Sequence, residues 1–249
     1  MTRALRALAT ATRALTATAL LGAIITAPAL AEPPTSTRQQ ARQHNDRGLA
    51  LHRAGKLEEG LAAFRAAIEA DPEYAMGHYN VACALALLRA AGKVCDVDAY
   101  RGAILEHLER AITLDPQRRE RARVDDDLRA VHDTLGFQRV VLQRKLTTAA
   151  DRRAVLVAVS WFGPSPGAYG PMSALDFHDD GTVSGWHLVF DDDGAPTRRP
   201  LAGRFTMGAQ RIELHLEGAP APAAATLRWD GLELDGGERF TDDPDDCSA

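Results

Sequence analysis

Residues 45–72 read NDRGLALHRAGKLEEGLAAFRAAIEADP, and the residues that punctuate this helical run decide the fold. Gly48 and Gly60 let two helical backbones approach closely, Phe64 is placed to fill the gap between them, and Ala67 makes room for a following unit. Between the helices, Ala54-Gly55-Lys56-Leu57-Glu58-Glu59 supplies a tight turn. Gly55 is the helix stop, and the acids open the next helix at its positive end. Pro72 closes the unit, because proline lacks the amide hydrogen a continuing helix needs.

The pattern recurs. From Ala75, Tyr79-Asn80-Val81-Ala82-Cys83-Ala84-Leu85 lies on a first helix and Ala103 to Ala111 on a second, ending at Asp115-Pro116. Gly48, Gly60, Phe64, Ala67 and Pro72 fall on the small, small, aromatic, small and proline positions of a 34-residue tetratricopeptide (TPR) unit, and residues 41–116 resemble that family. Pro72 and Pro116 stand 44 positions apart, so about ten residues are inserted. Residues 92–99, beginning Gly92-Lys93-Val94-Cys95, break the helical pattern and are expected to form a loop projecting between the second pair of helices.

Two such units cannot bury their apolar faces alone. Residues 117–146 are expected to cap the stack as a helix pair, with Val124, Leu128 and Val131 on one stripe and Leu135, Phe137, Val140 and Val141 following. The run from Asp125-Asp126-Asp127-Leu128 to Leu135-Gly136-Phe137 resembles the terminal segment that follows bacterial TPR stacks.

From Ala154 onward short alternating runs separated by Gly, Pro and Asp replace the helical stripe. Strands are expected at 155–161, 173–178, 182–190, 201–207, 211–216, 226–229 and 232–234, with Asp179-Asp180-Gly181 and Met207-Gly208-Ala209-Gln210 as hairpin turns. The fold class is α+β: a helical domain over 41–148, then an antiparallel meander over 154–240 that curls into a small barrel or sandwich. Leu175-Asp176-Phe177 through Gly185 resembles hairpins of secreted lipocalin-like domains. Such a barrel is either filled by its own side chains or holds one small molecule. Trp161, Trp186 and Trp229 either anchor its core or form a ligand platform.

The first 31 residues read as a cleavable signal peptide. Arg3, Arg6 and Arg13 precede an apolar run from Ala14 to Ile25, and Ala29-Leu30-Ala31 suits cleavage after Ala31. The run is shorter than the roughly 20 residues of a membrane span. Export to the periplasm or beyond follows, with 32–40 as a linker, 241–249 as a solvated acidic tail and no stable membrane span after cleavage. The formal charge of −5 becomes more negative once three arginines leave, which opposes nonspecific nucleic-acid binding. Cys83, Cys95 and Cys247 enter a route where disulfides persist, and a bridge involving Cys95 is expected.

The catalytic inventory is thin. Gly163-Pro164-Ser165-Pro166-Gly167 matches a serine-hydrolase string, but Pro166 has no N–H to offer an oxyanion. Asp191-Asp192-Asp193-Gly194 lacks the ligand spacing of a calcium loop. The eight histidines show no metal-ligand spacing, and His44 and His78, at equivalent places in the two repeats, are expected to pack between helices. No metal, no cofactor and no catalytic residue is expected.

The family resemblance implies a noncatalytic interaction module whose first helices line a concave groove for a peptide or partner helix of another protein. The groove residues would be Arg42, Asn45, Leu49, His52 and Arg53 from the first copy and Met76, Tyr79, Asn80, Cys83 and Ala86 from the second. Asn80 matches one position of a set that grips peptide carboxylates, whereas Asn45 and Leu49 replace its lysine and asparagine. The alternative is a small-molecule-binding β-barrel carrying a helical adaptor.

Overall fold

Both long first helices end in the same chemistry. In the computed structural model, which describes residues 35–164 and 172–244, α1 (Thr35–Arg53) stops where Gly55 N–H bonds to His52 O at 2.9 Å and Lys56 N–H to Leu51 O at 3.0 Å. The second, α3 (Ala75–Ala90), stops where Gly92 N–H bonds to Arg89 O and Lys93 N–H to Leu88 O, each at 2.9 Å. Gly55 (φ 73°) and Gly92 (φ 76°) take the left-handed conformation this terminator requires. The returning helices, α2 (Leu57–Ala70) and α5 (Arg101–Leu114), also end alike. Asp71 and Asp115 each hold an extended backbone, and the carboxylate of each accepts the amide two residues on.

The repeat is therefore realised as two helical hairpins, α1 with α2 and α3 with α5, joined by packing of α2 on α3. Leu61, Phe64, Val81, Leu85, Ile104 and Leu108 form the shared core. Burying each such side chain contributes about 1.5–3 kcal/mol.

Residues 32–40 were expected to be a linker, but α1 already runs from Thr35. The exposed insertion is not loop throughout. A short α4 (Val94–Val97) follows Gly92, and Asp98 then takes a left-handed conformation (φ 58°) that turns the chain inward and buries Ala99. Cys95, on α4, is disulfide-bonded, as the sequence led us to expect, while Cys83 is a free thiol.

The cap is more broken than a helix pair. It comprises α6 (Arg118–Ala122), a 3-10 helix (Asp126–Val131) and α7 (Leu135–Val140). Leu128, Val131, Phe137 and Val141 join the helical core as expected. Val124, placed on the same stripe, is 75 % exposed because α6 ends at Ala122 and the next residues turn.

Residues 155–161 are not a strand. Thr148 and Asp151 form a reciprocal capping box that starts α8 (Ala149–Leu156), and only β1 (Trp161–Phe162) follows. The remaining strands are β2 (Ser173–Phe177), β3 (Thr182–Phe190), β4 (Pro196–Met207), β5 (Ile212–Leu216), β6 (Ala223–Arg228), β7 (Gly231–Leu234) and β8 (Arg239–Phe240). They pair antiparallel in chain order. The two expected hairpin turns join β2 to β3 and β4 to β5.

The meander nearly closes on itself. Phe162 and Thr241 exchange backbone hydrogen bonds of 2.8 Å in both directions, linking the first strand to the residue after the last. Inside lie Trp161, Leu175, Phe177, Val183, Phe205, Leu214, Leu232 and Phe240, with Val155 and Leu156 of α8. The molecule thus combines a helical stack with a side-chain-filled, barrel-like sheet. Among the described residues, no helix is long and apolar enough to cross a membrane.

Candidate functional site

Helical spacing alone put the expected groove residues on one face of α1 and α3; in the fold the 3-10 helix packs against α3, and Ala86 is fully buried in the helical core. Tyr79 and Cys83 are each 4 % exposed and Asn45 3 %. Asn80 is buried as well, and its side-chain amide donates to Asn45 Oδ1 at 2.7 Å, so both act between helices. Leu49 packs on the core edge.

The centre of the face is polar. Tyr79 donates its hydroxyl hydrogen to Asp125 Oδ2 at 2.8 Å, and Arg121 Nε lies 3.1 Å from the same oxygen. Asp125 Oδ1 accepts the backbone amide of Asp127 and so caps the 3-10 helix. Cys83 Sγ and one oxygen each of Asp125 and Asp127 all lie within 4.8 Å of one another. His52 Nε2 stands 3.9 Å from Asp127 Oδ2. Burial, then the charges of Asp125 and Asp127, push the Cys83 thiol well above its usual range. Burial and the neighbouring Asp125 likewise raise the Asp127 carboxyl. The sequence showed no ligand-like spacing here because this set comes from three separate elements.

The face stays open at one end. Arg42 and Met76, with Arg38, Tyr74, Asp115 and Arg118, line a cleft of about 500 Å³. Arg38 pairs with Asp71, and Arg118 with Asp115 at 2.9 Å. Arg42 is exposed and makes no ion pair among the described residues. Arg118 also donates to Met76 Sδ at 3.5 Å. Arg53, at the far end of α1, is exposed.

Elsewhere, His78 is packed by polar as well as apolar contacts. Its Nε2 lies 3.0 Å from Pro72 O, and its Nδ1 lies 3.1 Å from Nδ1 of His107. A carbonyl oxygen only accepts, so His78 carries its proton on Nε2 and its Nδ1 accepts from His107. Asp191, in the acidic turn, uses Oδ1 to accept the amides of Asp193 and Ala195.

Trp161 is fully buried and donates to Leu156 O at 3.0 Å, which makes it a core anchor. Trp186 is half-buried beneath the Arg198 guanidinium, 4.1 Å from the ring centre. A surface cleft of about 870 Å³ lies at the β2–β3 turn and along β4 and β5, lined by Arg153, Arg204, Phe205, Met207 and His215 among others. Asp242 is not part of a solvated tail. Its Oδ2 accepts the Leu135 amide at 2.6 Å, and its carbonyl accepts from Arg101. The signal segment 1–31, Ser165 to Gly167 of the hydrolase-like string, and residues 245–249 with Cys247 lie outside the described residues.

In comparison with known proteins, no family model matches this chain and no curated sequence is significantly similar to it.

Proposed function

We propose that this chain is an exported, noncatalytic adaptor of the TPR type that binds an acidic segment of another protein at the open end of its concave face. The observation that carries the reading is the cleft around Arg42. Three guanidinium groups gather there, two have carboxylate partners, and Arg42 is left for a ligand. A guanidinium fork suits a carboxylate in two-point contact, and Met76 and Tyr74 offer the adaptable and aromatic surface that peptide sites use.

Asn45, Tyr79, Asn80 and Cys83 play no direct part in this reading, since their burial beneath or beside the 3-10 helix keeps a partner from them. Arg42 and Met76 carry recognition, with Arg38 and Arg118 beside them. The disulfide at Cys95 supports an oxidising compartment, periplasmic or extracellular.

Affinity capture from exported material, run side by side with wild type and Arg42→Glu, tests the proposal. A partner retained by wild type and lost by the variant supports it. Equal retention by both removes the cleft from the account. The second reading, a small-molecule site in the β portion, draws on the cleft between Arg153 and His215. The filled interior confines such a ligand to that outer surface.

A further inference from the structure

Under the 3-10 helix lies a set of side chains that peptide recognition does not use. Cys83 comes from α3, Asp125 and Asp127 from the head of the 3-10 helix, and His52 from the last turn of α1. The sulfur and the two carboxylates stand within 4.8 Å of one another, and His52 lies 3.9 Å from Asp127. Cys83 forms no disulfide, is buried in the helical core, and has its sulfur within 4.8 Å of an oxygen of each acid.

Two carboxylates and an ionisable thiol converge there, an arrangement that like-charge repulsion opposes unless a cation lies among them. Arg121 is the cation paired with Asp125, and it is exposed. A divalent ion reverses the balance by taking the thiolate and both carboxylates as ligands. The hydrogen bond from Tyr79 would then orient Asp125 as a ligand, the outer support that metal-bound carboxylates receive.

We propose that Cys83, Asp125, Asp127 and His52 bind one divalent transition-metal ion of the zinc class, which clamps the 3-10 helix onto α1 and α3. Thiolate and imidazole select such an ion over calcium or magnesium, which take oxygen ligands. Bonds of about 2.0–2.3 Å require the set to draw together by roughly 1 Å. Asp127 and His52, both half-exposed, have the freedom to move. On binding, the ion displaces the thiol proton to solvent.

The test uses the full chain, stripped by a chelator and titrated with Co²⁺ in place of zinc. The expected result is one Co²⁺ per chain with thiolate-to-cobalt charge-transfer absorption, displaced by Zn²⁺. Cys83→Ser abolishes that absorption. Asp127→Asn, at the half-exposed edge where the fold tolerates change, weakens binding at least about tenfold, the loss that even an outer partner of a ligand causes. Absence of the absorption in wild type, or unchanged affinity in Asp127→Asn, overturns the proposal. The site is separate from the Arg42 cleft, so either idea can fail alone.

Discussion

Tyr79 on α3 and Asp125 at the head of the 3-10 helix are joined by a buried hydrogen bond of 2.8 Å. This contact fastens the cap to α3, and Arg121 adds only an exposed partner to the same carboxylate. Tyr79→Phe leaves the Asp125 carboxylate short of a donor. A hydrogen bond to a charged group contributes about 1.5–3 kcal/mol, so stability in urea unfolding should fall by that amount. An unchanged midpoint would show that the cap is held by Leu128 and Val131 alone.

Gly48 faces the ring of Phe64, which is fully buried and has no room to retreat. A Cβ at position 48 would run into that ring. Gly48→Ala should therefore cost about 1–3 kcal/mol, the usual penalty of overpacking, despite alanine's better helix propensity. Thermal unfolding measures it, and a stabilised Gly48→Ala variant would contradict the close approach of α1 and α2.

His107 lies 3.1 Å from His78, and burial, reinforced by that neighbour, lowers its pKa below the usual 6.5. As pH falls, the unfolded chain therefore takes up this proton first. Stability is whole above about pH 6.5 and declines as the pH drops through the lowered folded value. His132, lowered mainly by burial, adds to the same decline. Replacing His107 by Gln should flatten urea midpoints measured between about pH 7 and 5. A slope equal to wild type would assign the whole effect elsewhere.

Arg101 links the two halves of the molecule. Its guanidinium donates to Asp242 O and to Asp133 at 2.9 Å, and it sits over the Phe162 ring at 5.8 Å. Arg101→Met keeps the stem and removes the donors. Since Asp133 is partly exposed, the loss should lie near the low end of about 1.5–3 kcal/mol. Limited proteolysis should then cut sooner after Phe240, and an unchanged cleavage rate would show that Asp242 is held by Leu135 instead.

The helical hairpins were legible because glycine punctuates them. Gly55 and Gly92 stop α1 and α3 by the same bonds, and residues 182–190 form β3 with the bounds their alternation implied. The run Val155 to Val159 was not legible by period, since short apolar, β-branched stretches suit helix and strand alike. The deciding signal was local: Thr148 and Asp151, spaced as a capping box. That Arg42 and Met76 lie near one another on the two first helices was legible from helical spacing, and both line one cleft. The closure of the face by Asp125 and Asp127 was not, because it depends on tertiary contact between residues more than 40 positions apart, as in Tyr79 with Asp125.

The most direct test of an acidic-segment adaptor is selection of a random peptide display library on the immobilised full chain, repeated with Arg42→Glu. The account predicts enrichment of Asp- and Glu-rich sequences on wild type, weakened by salt and lost on the variant. Enrichment that ignores charge, or that persists unchanged on Arg42→Glu, would contradict it.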